Sequence, residues 1–253
     1  MDQDATDGEL FDLWRVRRAR EGVHVDVIDL YELVAASRGI EPDALSLEER
    51  KVLAGRAMEV MWPGFEKVGD SGGRGGTVEL VDYDPSWPVR FEAWRVRLAA
   101  PLEGVASRIE HIGSTSVPGL AAKPIVDVMV CVAEVEDEDA YVAACEAAGL
   151  TLISRDDEHR FFVAAPPGPI DAHVHACATG GSFERDHLLF RDYLRAHDDA
   201  RDAYAEMKQE VAGRWAEDRM GYTYSKSDLI LELLERAEDW ARETGWTLDV
   251  GGT

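Results

Sequence analysis

Two segments of the chain contain the residue types from which a phosphate and metal site can be built. The first, HIGSTSVPGLAAKPIVDVMV, covers residues 111–130 and places glycine and hydroxyl residues in a turn ahead of a strongly apolar stretch. Gly113, Ser114 and Thr115 leave the backbone N–H groups of such a turn open to close approach by a phosphate. An ordinary polar turn has the same composition, so the argument for a site depends on the carboxylate that follows.

That carboxylate is Asp127, in the segment PIVDVMVCV (124–132). Strand alternation places it on one face with Ile125, Met129 and Cys131, while four valines occupy the other face. A charge among apolar neighbours costs several kcal/mol unless it is paired, hydrogen-bonded or bound to a cation. An ion pair with Lys123 and a role as metal ligand both satisfy this requirement.

The second segment is PIDAHVHAC (169–177), in which four potential ligands share one strand face. These are Asp171, His173, His175 and Cys177. The i, i+2 spacing lets two imidazoles meet one ion, and carboxylate with imidazole suits Mn²⁺, Fe²⁺ or Zn²⁺ better than Mg²⁺ alone. We interpret Cys177 as a packing residue. The segment therefore predicts a metal site, with structural histidines as the alternative.

The elements that must position these residues form an α+β pattern. The valine-rich segment 124–132 predicts a strand covered on both faces, and TVELVDY, LTLIS, HRFFVAA and IDAHVHACA predict further strands. Helices are expected over 89–103 and 138–149, and two or three more after Gly181. We expect a mixed sheet with flanking helices.

A glycine-rich stretch, GDSGGRGG (69–76), predicts a linker between two parts of the chain. Residues 1–68 are then an N-terminal, mostly helical appendage, and residues 77–253 a second domain. Within the appendage we expect a helix from Gly8 to Arg20, a short strand at 23–28 and a helix that stops at Gly39. The sequence SLEE predicts a capping box between Ser46 and Glu49 that opens a helix to about Trp62.

Composition narrows the classes of function. The 253 residues include 45% apolar residues, enough for a sizeable core, and carry a formal charge of −23. This acidity disfavours binding to nucleic acid or to an anionic membrane, so a phosphate ligand would need a focused pocket. No secretory signal or membrane span is predicted, and three cysteines without a CxxC pair indicate neither disulfides nor a zinc ribbon. We expect a cytoplasmic protein, and an oligomer is compatible with the sequence.

The segment 111–130, followed in order by HRFF, HVH, FRDYLRAH and YxxxK, resembles the GrpB family, a nucleotidyltransferase-like group, over roughly residues 77–240. The resemblance implies a polymerase-β-like nucleotidyltransferase core, in which Gly113 and Ser114 match the triphosphate turn and Asp127 matches the first metal carboxylate. Two metal ions in that superfamily stabilise the attacking and leaving oxygens. Basic family positions, expected to bind phosphate, are matched by Arg160, Lys208 and Lys226.

This sequence departs from the superfamily pattern two residues after Asp127, where Met129 replaces a second carboxylate. Our hypothesis is that His173 and His175 replace the missing ligands, with Asp171 as a further carboxylate. A metal would then be held by Asp127, Asp171 and an imidazole, with Ser114 and Lys123 on phosphate oxygens. The groups expected to act in catalysis are Asp127, Asp171 and His173.

Three functions follow from these residues. The first is a nucleotidyltransferase that uses Mg²⁺ or Mn²⁺, with Zn²⁺ as the alternative, to move a nucleotide from a nucleoside triphosphate to an acceptor that the sequence does not identify. The second, favoured by Met129, is a non-catalytic module of the same fold that binds a nucleotide or phosphometabolite. The third is a metal-dependent hydrolase built on the Asp-x-His-x-His strand.

Overall fold

A computed structural model describes residues 6–20, 24–70 and 77–248. The helices in this part of the chain, apart from three short 3₁₀ turns, are α1 (Asp7–Arg18), α2 (Val27–Arg38), α3 (Leu47–Met61), α4 (Trp87–Ala99), α5 (Val142–Ala147), α6 (Ser182–Ala196), α7 (Asp198–Arg214), α8 (Arg219–Tyr224) and α9 (Ser227–Thr244). The strands are β1 (Glu66–Lys67), β2 (Ala106–Ile112), β3 (Val126–Val132), β4 (Leu150–Arg155), β5 (His159–Ala164) and β6 (Ala172–Ala178).

The strands form one six-stranded mixed sheet in the order β1-β4-β5-β6-β3-β2. The central pair, β3 and β6, is parallel, and every other pair is antiparallel. In the parallel pair Asp127 lies opposite His173, and Met129 lies opposite His175. This register brings the two segments of predicted chemistry side by side, and the mixed sheet with flanking helices confirms the α+β prediction.

The two faces of the sheet are covered by different helices. Val126, Val128 and Val130 pack with α4 and α5 in the main hydrophobic core. The opposite face carries Asp127 and Met129, and its apolar part packs against α6. The side chains of β3 and β6 therefore alternate between the two faces of the sheet as predicted, and both faces are covered by helices.

Two predicted strands are wrong. Over the described residues 24–28 the chain is not a strand, since Asp26 N-caps α2 and forms a reciprocal capping box with Asp29. The local hydrogen bonds of the cap prevail over the alternating pattern, and Val23 lies outside the described residues. TVELVDY forms only one isolated bridge, from Val81 to Ala122. After Gly181 the structure has four helices rather than two or three.

The N-terminal helices have a core of their own that continues into the C-terminal helices. Trp14, Leu30 and Val34 are fully or almost fully buried, and the same cluster includes Trp215 and Tyr222. The capping box of Ser46 and Glu49 and the left-handed Gly39 that ends α2 are both present as predicted. Of the predicted linker, residues 71–76 lie outside the described residues. No helix in the described ranges is long and apolar enough to cross a membrane.

Candidate functional site

A cavity of about 360 Å³ lies between the sheet face that carries Asp127 and helices α6, α8 and α9. One end of it is polar, with the turn after β2, the carboxylate of Asp127 and three histidines. The side chains of Lys123 and Lys226 lie at another side, and apolar side chains of α6 and α9 form the remaining wall. The predicted site residues that line the cavity are Gly113, Ser114, Thr115, Lys123, Asp127, His173, His175 and Lys226.

The turn after β2 is in direct contact with Asp127. Gly113 has a φ of 68°, and a Cβ atom there would lie 2.2 Å from Oδ2 of Asp127. Glycine is therefore required both by the left-handed backbone and by the close approach of the carboxylate. Ser114–Ser116 then form a 3₁₀ turn in which Ser116 donates a hydrogen bond to the Gly113 carbonyl at 2.6 Å. The backbone of the turn thus lies directly beside the carboxylate.

Two histidines of β6 hold the Asp127 carboxylate. Its Oδ1 lies 3.2 Å from Nδ1 of His173 and 3.7 Å from Nε2 of His175. Burial would raise the pKa of Asp127, but the hydrogen bonds with both imidazoles outweigh it and hold the pKa well below its usual range. Asp127 is therefore an anion at neutral pH, although its side chain is only 26% exposed.

The histidine network extends to β5. Nδ1 of His175 lies 2.9 Å from Nε2 of His159, whose other nitrogen lies 3.7 Å from Asp156. Burial lowers the pKa of both His159 and His173, so these imidazoles are uncharged at neutral pH. An uncharged imidazole keeps a lone pair for a metal ion or a proton. Since Nδ1 of His175 contacts His159 and its Nε2 faces Asp127, the imidazole of His175 is held from two sides.

Lysines converge on the cavity, although the chain has only five of them among 253 residues. Nζ of Lys226 lies 4.1 Å, and Nζ of Lys123 5.0 Å, from the centre of the Tyr222 ring. Lys208 is buried behind them and donates to the Ala121 carbonyl. Burial lowers the pKa of Lys123 to about 8 and that of Lys226 to about 7. An anionic ligand would relieve this cost by pairing with both ammonium groups.

Three predicted site residues are not brought to the cavity. Asp171 lies just before β6, where its backbone carbonyl accepts from Val126 and from Arg90, and it is not among the cavity-lining residues. Arg160 lies in register with Ala176, on the sheet face opposite His175, and pairs with Glu138 at 2.5 Å. Lys208 is the third, because its ammonium group is held by a backbone carbonyl.

Met129, for which the superfamily resemblance would imply a second carboxylate, is fully buried. It packs with Ile112, Cys131, Cys177 and Leu188 in a small apolar cluster beneath the polar end of the cavity. Cys177 is a packing residue, as predicted. Along this face of β3, the side chains therefore change from polar at Asp127 to apolar at Met129.

Several cavity residues have no counterpart among the sequence predictions. Helix α6 contributes His187, Phe190, Arg191 and Leu194, α8 contributes Tyr222 and Thr223, and α9 contributes Ile230 and Leu234. Their i, i+3, i+4 and i+7 spacing was the available signal, but that spacing also describes an ordinary core-facing helix. His187 donates a hydrogen bond from Nδ1 to the Phe183 carbonyl at 2.8 Å, and burial lowers its pKa to about 4.

The donor atoms at Asp127 are chemically suited to a divalent metal. Two ligands of one tetrahedral ion at about 2.1 Å are separated by roughly 3.4 Å, which is close to the 3.2 Å between Asp127 and His173. In the described part of the chain, however, no group of three or more His, Cys, Asp or Glu side chains is arranged to hold a metal.

Comparisons with known proteins agree with the resemblance seen in the sequence. The family model described as GrpB protein matches residues 77–236. A UPF0157 protein of Halalkalibacterium halodurans is 38% identical over 174 residues, which cover 67% of this chain and 87% of that protein. A dephospho-CoA kinase of Mycolicibacterium paratuberculosis is 30% identical over 195 residues, 67% of this chain and 48% of that enzyme. The crystal structure of conserved protein GrpB from Enterococcus faecalis superposes with a TM-score of 0.58 at 30% identity, covering 64% of this chain and 99% of that one.

Proposed function

We propose that this chain, which belongs to the GrpB family, binds a nucleoside triphosphate in the cavity and transfers its nucleotide to an acceptor. The observation that carries the proposal is that one cavity is lined by a carboxylate at one side and by two lysines at another. Asp127 lies at one side, and Lys123 and Lys226 lie over the ring of Tyr222 at another. In a chain of net charge −23, this arrangement suits a ligand that carries both phosphate and a divalent metal.

Each group has a role in this proposal. The N–H groups and hydroxyls of Ser114 and Thr115, together with the two lysines, would bind phosphate oxygens. Asp127 and His173 would hold Mg²⁺ or Mn²⁺, which when bound adds positive charge next to the reacting phosphate. Phe190, Leu194 and Ile230 offer an apolar wall for the nucleoside.

A nucleotide-related ligand is supported by the dephospho-CoA kinase relative, because dephospho-CoA is itself a nucleotide derivative. The match covers only 48% of that enzyme. It therefore supports the class of ligand and leaves the reaction to the site residues.

The proposal is tested by thermal unfolding with each nucleoside triphosphate, with and without Mg²⁺ or Mn²⁺. A ligand at about 100 times its dissociation constant adds roughly 2.7 kcal/mol, which corresponds to a rise of about 5–10 °C for a domain of this size. We expect this rise in the wild type and in the control Asp139→Asn, which changes an exposed carboxylate. Asp127→Asn should abolish the metal-dependent part, and an unchanged shift in that variant would contradict the proposal.

The burial of Met129 favours a second candidate, a module that binds the nucleotide without turning it over. An apolar residue at this position removes the site for a second metal. Pyrophosphate release distinguishes the two candidates, measured at saturating nucleotide with pools of small-molecule and protein acceptors. Nucleotide binding that needs no metal, without pyrophosphate release, would select the binding module.

A further inference from the structure

We propose that helices α2 and α3, with the residues that flank them, position the ligand site, because they fix the segment 218–227 that forms one wall of the cavity. This inference rests on the proposed function, since it concerns the same cavity. It assigns Arg50, Trp62 and Asp26 as positioning residues, none of which lines the cavity. The region that matches the GrpB family begins only at residue 77, so Asp26, Arg50 and Trp62 lie outside the matched region.

The first contact is a buried ion pair at the start of α8. Asp218 N-caps this helix and accepts from the backbone of Met220 and Gly221. Arg50 of α3 lies 3.4 Å from the same carboxylate, and the two side chains are only 10% and 3% exposed. The Arg50 guanidinium also lies 5.2 Å above the ring of Trp215. The residue that begins α8 is therefore held from the N-terminal part of the chain.

Two further contacts hold the other end of the segment. The indole N–H of Trp62 donates to the hydroxyl of Tyr224 at 3.1 Å. The side chain of Ser227, at the start of α9, lies beside the carboxylate of Asp26, the N-cap of α2, where it partly offsets the rise that burial causes in the pKa of that carboxyl. One polar contact thus comes from Arg50 within α3, one from Trp62 just after α3, and one from Asp26 just before α2.

The three anchored positions, 218, 224 and 227, bracket the residues that face the ligand. Tyr222, Thr223 and Lys226 line the cavity, and each lies within two residues of an anchored position or between two of them. Gly221 is pressed against Trp215, so that a Cβ atom would lie 2.7 Å from the indole ring. A shift of α8 would therefore change the position of the Tyr222 ring relative to Lys123 and Lys226.

These contacts are polar, so they define the position of the segment 218–227 more closely than apolar packing alone would. Apolar packing tolerates small sliding movements, whereas a buried ion pair and a capping carboxylate require defined atom positions. The loss of one partner would leave a buried charge that solvent would reach only if the segment moved. Arg50 and Asp218 thus couple the position of α8 to that of α3.

The test measures ATP affinity, with Mg²⁺, in Arg50→Met and Lys226→Met variants of the full chain. Lys226→Met should lower affinity about tenfold, because it removes a charge-assisted contact, and Arg50→Met should lower it about fivefold. Arg38→Gln is the control, because it breaks an exposed ion pair with Glu49 in the same helical region. Lys51→Met controls for the loss of a lysine at an exposed site.

A double variant separates positioning from general stability. If Arg50 acts through the segment that carries Lys226, Arg50→Met should have little further effect on affinity in the Lys226→Met background. Effects that multiply, or a folded Arg50→Met that binds ATP as the wild type does, would overturn the inference. Should Arg50→Met not fold, Trp62→Phe makes the same comparison at a 44% exposed residue, where only one hydrogen bond is lost.

Hydrogen exchange keeps this inference distinct from the proposed function. Amides of 219–226 should exchange faster in Arg50→Met than in the wild type, while amides of β3 stay protected. If the wild type fails to bind ATP, the proposed function is wrong and this exchange decides whether the segment is anchored. Equal exchange at 219–226 in the two proteins would overturn the anchoring itself.

Discussion

The two ends of one sheet face, both built from β3 and β6, differ completely in character. At the open end Asp127 lies beside His173 and borders the cavity. At the closed end Cys131 lies opposite Cys177 and both are fully buried beneath α6. The strands, their register and their direction are the same at both ends. What differs is the covering element, since α6 seals the closed end with Leu188 while the glycine turn leaves the open end accessible.

The comparison shows that a carboxylate on this face is tolerated only where a partner is present. Asp127 has two imidazoles within 3.7 Å and a cavity in front of it. Met129, only two residues away, has apolar neighbours. A carboxylate at residue 129 would therefore need a different covering element as well as a different residue.

The largest effect is therefore expected from Met129→Asp, which places a carboxylate at the closed end. An unpaired buried charge should lower the free energy of unfolding by about 3–5 kcal/mol, measurable by urea denaturation. Met129→Leu keeps the volume and should cost less than about 1.5 kcal/mol. A stable Met129→Asp protein with stronger metal binding would show that the closed end can open.

A smaller effect is expected from Gly113→Ala, which acts on the turn that keeps the open end accessible. The left-handed backbone costs roughly 1–2 kcal/mol for a non-glycine residue, and the added methyl group collides with Asp127. Gly104→Ala also introduces a side chain at positive φ, but no atom lies within 4 Å of its Cβ position. We expect Gly113→Ala to be the less stable of the two and to lose metal-dependent nucleotide binding, whereas equal stabilities would mean that the carboxylate moves freely.

The smallest effect concerns pH, and here stability and affinity should move in opposite directions. Burial, followed by repulsion from Lys123 and Lys208, lowers the pKa of Lys226 to about 7, well below that of the unfolded chain. Between the pKa of Lys226 in the folded protein and its pKa in the unfolded chain, the unfolded chain binds more protons than the folded protein. The free energy of unfolding should therefore rise from pH 7 to 8, by about 1 kcal/mol for one proton. Below pH 7 the cost of the buried charge is fully present.

Affinity for a phosphate ligand should instead fall as pH rises from 7 to 9, because the ligand pairs with protonated lysine. Lys226→Met should weaken both dependences, leaving the part that Lys123 and Lys208 contribute, and Lys51→Met, at an exposed position, should leave them unchanged. Denaturation and ATP titration at matched pH values provide the measurement. A nucleotide affinity that stays constant from pH 7 to 9 would argue against a role for Lys226 in binding.

Local features were predictable from the sequence. The alternation in β3 and β6, the capping box of Ser46 and Glu49, and the turn at Gly113 depend on residues close together in the chain. Local signals failed where a second local signal competed with them. At Asp26 the N-cap hydrogen bonds overrode the alternation that predicted a strand.

Tertiary structure alone decided which of these residues form a site. The contact between Asp127 and His173 joins positions 46 residues apart and depends on the parallel register of β3 and β6. The antiparallel register of β5 with β6 places Arg160 opposite Ala176, and helix packing brings Lys226 beside Lys123. The sequence by itself determined which face of each strand a residue occupies, because backbone geometry fixes that locally. Which strands are neighbours, and which helix covers each end, follows from long-range packing that no local pattern encodes.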